Sequence, residues 1–304
     1  MKAWHCDGRE VPLPEGHRFP MQKYALLRRR LLEEAVFSED ELFAAELVER
    51  ELLLGAHEPA YVDAVFAGTL TEFELRRLGF PWSEGLVARS RASVFGTVAA
   101  AHAALEEGIA CNLAGGTHHA FAGEGTGFCV FNDIAVAARA LQREGLVDRA
   151  VIVDLDVHQG DGTASIFADD PSVFTFSMHG AKNFPFRKQK SSLDVELPDG
   201  CGDEQYLALL EEHLPRVLDE AAAQILFFQA GVDPLESDRL GRLKLTLDGL
   251  RRRDRLVLRS ARALKLPAVV TLGGGYARPV SLSVEAHVGT FREARGALER
   301  EHRF

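Results

Sequence analysis

The chain is poor in the features that would mark a secreted, membrane-bound or nucleic-acid-coating protein. It has only four cysteines (Cys6, Cys111, Cys129 and Cys201), scattered with no CxxC pair. No disulfide framework is therefore expected, and a reducing, cytoplasmic compartment fits. No apolar run approaches the ~18 residues of a membrane span, and the first eight residues lack the apolar core of a secretion signal. Positive charge is in deficit: 35 Lys and Arg against 45 Asp and Glu leave a net charge of −10. Without clustered basic residues, no direct grip on nucleic-acid phosphates is expected. Neither a Pro/Gly/Ser-rich linker nor a repeat period divides the 304 residues, so residues 1–304 are expected to form a single domain. A domain of that length buries about 75% of its unfolded surface and needs no staple. With 46% hydrophobic and 26% charged residues, the composition is globular and excludes intrinsic disorder.

From about residue 90 onward, helical patterns alternate with short apolar runs. Residues 93–107 read as an alanine-rich helix stopped by Gly108, and Asn132 caps a helix running to Glu144 with Gly145 behind it. Residues 151–157, 173–177, 225–230 and 268–272 read as strands, whereas 111–114 is too short to assign. Asp203 opens a long helix, expected to be disturbed at Pro215 because proline removes a backbone donor. Residues 248–264 form an Arg-rich amphipathic helix, with Arg251, Arg252 and Arg253 expected on a solvated face. Strands separated by single helices imply parallel pairing with helices on both faces, a three-layer α/β arrangement. The first ninety residues fit less well. There, 21–34 and 38–53 look helical, 12–20 is a loop and 75–83 is ambiguous.

Four of the apolar runs end in polar or glycine-rich clusters: Gly115-Gly116-Thr117-His118-His119, then Asp154/Asp156/His158, then Asp233, then Gly273-Gly274-Gly275-Tyr276. In open parallel sheets ligands bind at the carboxyl ends of strands, so these clusters are expected to converge. Asp154-Leu155-Asp156-Val157-His158 has a period of two, which in extended chain puts both carboxylates and the imidazole on one face. Such groups are costly in an otherwise buried strand unless a cation compensates them. Asp156, His158 and Asp233 make an Asp2His donor set that leaves zinc a fourth position for water or substrate. The oxygen-rich set also suits Fe(II), Mn(II) or Co(II). Taken alone, a DxDxH stretch is as well read as a strand end with solvated acids.

Adjacent histidines are usually incidental, but His118-His119 follow two glycines that let backbone approach a ligand closely. Histidine is the commonest general acid/base, and Asp154 and Asp161 are candidates to fix the two tautomers. The glycine run before Tyr276 lacks the Lys-Ser/Thr of a P-loop and the spacing of a dinucleotide fingerprint. It either delivers a phenol to the metal site or is an ordinary helix-capping turn. Lys182, Arg187, Lys188 and Lys190 read as an exposed loop.

Together, Gly115-Gly116-Thr117-His118-His119-Ala120, Gly127-Phe128-Cys129-Val130-Phe131-Asn132-Asp133, Asp154-Leu155-Asp156-Val157-His158-Gln159-Gly160-Asp161-Gly162-Thr163, Ala230-Gly231-Val232-Asp233 and Gly273-Gly274-Gly275-Tyr276 resemble, in order, the histone deacetylase family of zinc amidohydrolases. Glu58-Pro59-Ala60-Tyr61-Val62 looks like the family's earlier helix segment, and the stretch from Ala230 to Gly241 is most similar to the class IV branch and its bacterial relatives. The resemblance implies the arginase/deacetylase fold, a mostly parallel sheet of about eight strands between helical layers. It implies that Asp156, His158 and Asp233 hold zinc, with His119 the general base and then acid, and His118 its electrostatic partner. Asp154 and Asp161 would orient the histidines, and Tyr276 would donate to the oxyanion. Phe128, Phe184, Gly127 and Gly274 would wall a tunnel for the lysine stem, with Leu240 near its floor. A structural K⁺ or Na⁺ site is implied at the Asp154 carboxylate, the Ser177 hydroxyl and the carbonyls of Asp156, His158 and Met178. Gln159 stands where many relatives carry a second histidine, but it is not a ligand position.

The expected activity is hydrolysis of N-acyl-lysine, acetyl or longer, in proteins or peptides. The alternative is an amidohydrolase of acetylated polyamines or other small amides on the same fold, since an acidic surface attracts cationic peptides and polyamines alike. An arginase-like binuclear manganese enzyme would need a second acidic cluster where Asp233 instead opens Asp-Pro-Leu. A non-catalytic acyl-lysine binder would lack a ligand or base, whereas every position is filled. Neither a membrane partner nor an oligomeric state is indicated.

Overall fold

The computed structural model describes residues 1–299. Its strands are β1 (Ala3–His5), β2 (Leu42–Ala44), β3 (Ile109–Asn112), β4 (Ala150–Asp154), β5 (Val173–Gly180), β6 (Leu193–Leu197), β7 (Ile225–Gln229) and β8 (Ala268–Thr271). They form one 8-stranded sheet in the order β2-β1-β3-β8-β7-β4-β5-β6. Every pairing is parallel, so the expected mostly parallel sheet is entirely so. β4 and β7 are buried along their whole length. Alternate residues feed two apolar clusters: Val151, Val153, Leu226 and Phe228 face one side, and Ala150, Ile152, Ile225 and Phe227 the other. That two-sided burial is the signature of a parallel sheet sandwiched by helices.

The helices are α1 (Lys23–Glu33), α2 (Arg50–Leu53), α3 (Pro59–Ala67), α4 (Glu72–Leu78), α5 (Glu84–Glu107), α6 (Asp133–Arg143), α7 (Asp161–Ile166), α8 (Asp203–Ala221), α9 (Leu247–Ala263) and α10 (Val280–Glu299). α8, α9 and α10 pack on one face of the sheet and α5 and α6 on the other. Side chains set their starts. Ser83 accepts from the Leu86 amide, Asn132 from the Ala135 amide and Thr246 from the Gly249 amide. Each satisfies one donor that a helix start leaves over.

Four expectations need correction. Residues 38–53 are not one helix: a short 3-10 turn at Glu39–Glu41 leads into β2, and only Arg50–Leu53 is α-helical. Edge pairing with β1 overrides the helix-forming composition, as tertiary context often does. α8 runs unbroken through Pro215. The proline ring lies on the exposed side, while Tyr206, Leu210, Leu214 and Val217 are buried beneath. Burying four such side chains at about 1.5–3 kcal/mol each outweighs the ~3 kcal/mol of an interior proline. Arg253 is wholly buried, although Arg251 and Arg252 are exposed as expected. Finally, the ladder of β4 stops at Asp154, so Asp156 and His158 belong to a bend rather than to a strand.

No helix among the described residues is long and apolar enough to cross a membrane.

Candidate active site

β4 and β7 are neighbours, but the chain leaves β4 towards β5 on one side and β7 towards β8 on the other. This is the point where strand order reverses, and parallel sheets open a crevice there at their carboxyl ends. Asp154, the last residue of β4, lies in register with Gln229 of β7 and Ser177 of β5. Beyond that row the backbone bends repeatedly, and each bend is tied to a carboxylate. Asp154 Oδ1 accepts from the Asp156 amide (3.2 Å), Asp156 Oδ1 from the His158 amide (3.0 Å) and Asp233 Oδ1 from the Val157 amide (2.9 Å). Leu155 and Val157 still turn into the same apolar cluster as Val151 and Val153. The alternation that put Asp156 and His158 on one face thus persists past the end of the ladder.

Asp156, His158 and Asp233 meet as a buried cluster whose ligand atoms all lie within 4.8 Å of one another. His158 Nδ1 is 2.9 Å from Asp156 Oδ1 and 3.1 Å from Asp233 Oδ2. Burial would lower the His158 pKa, but the Asp233 charge and the bonds to both carboxylates lift it to about 10. Burial and the Asp156 charge push Asp233 up to about 7. Two carboxylates packed this deeply draw positive charge to the point between them. One imidazole and two carboxylates with open space in front are a donor set that fits a divalent ion.

Glycines make room for this cluster. A Cβ on Gly274 would fall 1.9 Å from Asp233 Oδ2, and one on Gly231 would fall 2.1 Å from Asp156 Oδ2. The Gly274 amide donates to Asp156 Oδ2 at 2.8 Å. The glycine run before Tyr276 is therefore a close approach to the carboxylates, and the helix-capping reading is set aside.

The histidine pair stands beside the cluster, ring centroids 4.1 Å apart. His118 Nδ1 bonds Asp154 Oδ2 and His119 Nδ1 bonds Asp161 Oδ1, both at 2.6 Å. Their environments diverge. Burial is opposed at His118 by the Asp154 and Asp156 charges, which hold it up at about 9. Burial and the neighbouring His118 charge push His119 down to about 4. Titrating pairs driven apart in this way separate an acid role from a base role. The turn carrying them is held by buried Asp133, which accepts from the Gly116 amide (3.1 Å) and the Thr117 amide (2.7 Å).

Asp156, His158, Asp233, His118 and His119 line one cavity of about 740 Å³, while Asp154 and Asp161 stand behind the histidines. Gly127, Phe128, Phe184, Leu240, Gly274 and Tyr276 line it too. Phe128 has a left-handed backbone (φ 66°), uncommon for a bulky residue. The loop is pinned there because the Gly127 and Phe128 amides donate to the carbonyls of Arg77 and Leu78 at the end of α4. A Cβ on Gly127 would fall 2.6 Å from His119 Cδ2. Ser177 and Met178, expected at a monovalent cation, are buried on β5, with Ser177 Oγ 2.9 Å from His179 Nδ1.

Several residues escaped the sequence reading. Gln229 Nε2 donates to Asp156 Oδ2 (3.0 Å) and to the Gly116 carbonyl (3.3 Å). Arg253 Nη1 donates to the carbonyls of Leu155 (3.1 Å) and Gly231 (2.6 Å), bracing both ligand-bearing loops. A signal existed: Arg253 falls three residues after Leu250 and four before Val257, inside the apolar stripe of α9. Lys23, fully buried, reaches the Gly273 carbonyl at 3.3 Å, and Asp238 accepts from the Tyr276 amide at 2.6 Å. Lys23 carries no sequence mark, and Asp238 lies within the 230–241 stretch without being set apart from its neighbours.

The family model described as "Histone deacetylase domain" matches residues 17–291. An uncharacterized protein of Picosynechococcus sp. is 51% identical over 94% of this chain and 95% of its own length. Histone deacetylase 2 of Arabidopsis thaliana is 36% identical over 64% of this chain and 52% of its own length. The chain thus spans about half the length of that named relative. The crystal structure of an HDAC homolog from Aquifex aeolicus superimposes with a TM-score of 0.83 at 25% identity, covering 97% of this chain and 84% of that one.

Proposed function

Since the chain belongs to the histone deacetylase family, we propose that it is a zinc-dependent deacylase hydrolysing the amide of N-acyl-lysine in peptides or proteins. One observation carries this reading: an Asp-His-Asp cluster at the floor of the same cavity as two carboxylate-backed histidines and a tyrosine. Asp156, His158 and Asp233 would hold the zinc. When bound, the ion supplies a Lewis acid that polarises an amide carbonyl and lowers the pKa of water.

The remaining work falls to side chains. His119 gives its Nδ1 hydrogen to Asp161, which leaves Nε2 free to take a proton from attacking water and to return it to the leaving amine. His118, held protonated by Asp154, adds positive charge beside the developing oxyanion. Burial and the charges of Asp233 and Asp156 push the Tyr276 phenol well above its ordinary value, so it stays a hydrogen-bond donor to that oxyanion. Phe128 and Phe184 suit a flat, uncharged acyl-lysine stem. Asp154 and its register partner Ser177, with the carbonyls of Asp156, His158 and Met178, would hold K⁺ or Na⁺ behind the site.

The test is hydrolysis of acetyl- and long-acyl-lysine peptides by the purified protein, with and without a hydroxamate chelator. Hydroxamate-sensitive release of free lysine side chains supports the reading. No release from any acyl-lysine peptide at full metal occupancy defeats it.

A further inference from the structure

The mouth of the cavity carries a charge opposite to that of the chain. Above the buried carboxylates of the floor, the charged residues lining the cavity are Arg18, Arg76, Arg77, Lys182 and Arg242, with no acid among them. Four of these five cations share three carboxylates. Lys182 and Arg242 lie 3.8 and 3.3 Å from the same Asp199 carboxylate, Arg76 lies 3.5 Å from Glu72, and Arg77 meets Glu124. Arg18 is exposed and has no carboxylate in ion-pair reach among the described residues. The pairs that exist are solvent-facing, and exposed pairs contribute little, so an incoming anion can exchange into them. Beside them Phe186 is 87% exposed, an apolar edge on the same rim.

Whatever puts an acyl-lysine stem into the tunnel must lay its remaining atoms on this rim. We propose that the mouth selects acyl-lysine whose neighbouring groups are carboxylates, either acidic side chains flanking the lysine or the α-carboxylate of the free acyl-amino acid. Cationic peptides and acylated polyamines are disfavoured. The inference rests on the acyl-lysine reading of the site. It reverses what the net charge of −10 suggests, because the local field at a cleft, not the total, steers a charged ligand.

The experiment compares kcat/KM for acetyl-lysine peptides flanked by Asp/Glu, by Gly or by Lys/Arg, together with free Nε-acetyl-lysine and N-acetylspermidine, at low and high salt. Expected is a preference for the acidic over the basic peptide of about tenfold at low salt, shrinking towards parity at high salt as screening sets in. The doubly substituted R18E/K182E protein should invert the order. If free Nε-acetyl-lysine loses its rate on conversion to the α-amide, the α-carboxylate is the group recognised; if only peptide flanks matter, acidic side chains are. A basic peptide or N-acetylspermidine cleaved as fast as the acidic peptide overturns the inference. Fluorescence anisotropy of the same labelled peptides reads the charge preference apart from turnover. Absence of hydrolysis therefore defeats the functional reading, and equal binding of acidic and basic peptides defeats this one.

Discussion

The floor of the cavity and its mouth are made from different parts of the chain under different constraints. At the floor, Asp156, His158 and Asp233 are buried, each takes part in several hydrogen bonds, and glycines at 231 and 274 leave no room for a Cβ. At the mouth, Arg18, Lys182 and Phe186 are exposed, and the ion pairs there face solvent. The floor hangs from the carboxyl ends of β4 and β7, while much of the mouth comes from the first eighty residues: His17 bonds the Gly79 carbonyl at 2.9 Å, and Phe19 and Phe80 pack on Phe128. The difference separates chemistry, which needs fixed groups in a dry setting, from substrate choice, which exposed side chains can change at little risk to the fold.

Substitutions should therefore split into two classes, and the largest effects belong at the floor. Asp233→Asn should lower turnover by more than about a thousandfold and deplete bound metal in elemental analysis, since it removes a ligand. Full metal content in that variant would take Asp233 out of the donor set. Tyr276→Phe should keep the metal and lose about 10²–10³ in kcat, the usual effect of removing one oxyanion donor. Wild-type turnover there would exclude the phenol from the mechanism. Behind the floor, Arg253→Met should destabilise by about 3–5 kcal/mol in urea unfolding, because Asp254 is left buried without its cation. A change under ~1 kcal/mol would show that the brace is dispensable.

Acid should also loosen buried ties that lie outside the cavity. His57 is neutral when folded, pushed down to about 4 by burial, and it ties the Phe121 carbonyl to the Asn132 amide. The unfolded chain takes up that proton near 6.5. Stability is therefore full above about pH 6.5 and falls as pH drops towards 4. Asp7 opposes its own burial through bonds from His5 and Arg28 that hold it at about 2, which adds a further loss as pH falls from ~4 to ~2. Chemical denaturation across this range should trace both windows, and His57→Gln should flatten the upper one. The smallest effect is expected at the rim: Phe186→Ala should leave stability within about 0.5 kcal/mol and alter KM alone. A fall in kcat instead would tie the rim to the chemistry.

The same division governs what could be read in the sequence. The floor was legible because its residues cluster at strand ends in short motifs whose chemistry is local: Asp156 and His158 lie two apart, and His118 follows paired glycines. Asp233 needed the further step that parallel strands share one carboxyl edge. Ser38 to Leu53 was misread because β2 exists only by pairing with β1, three residues at the far end of a long loop closure. Arg253 was misread because three successive arginines look solvated, although the heptad-like spacing on α9 pointed inward. Lys23 and Asp238 act through backbone groups of distant loops, which no local pattern records. The basic rim was invisible for a similar reason, since its cations come from four separate segments of an acidic chain.

The most direct test of the account is a zinc titration of the metal-stripped full chain, with hydrolysis of an acetyl-lysine peptide followed at each addition. Activity should rise linearly and saturate at one equivalent per chain. Undiminished activity before any zinc is added, saturation only at two equivalents, or no hydrolysis at full occupancy would contradict it.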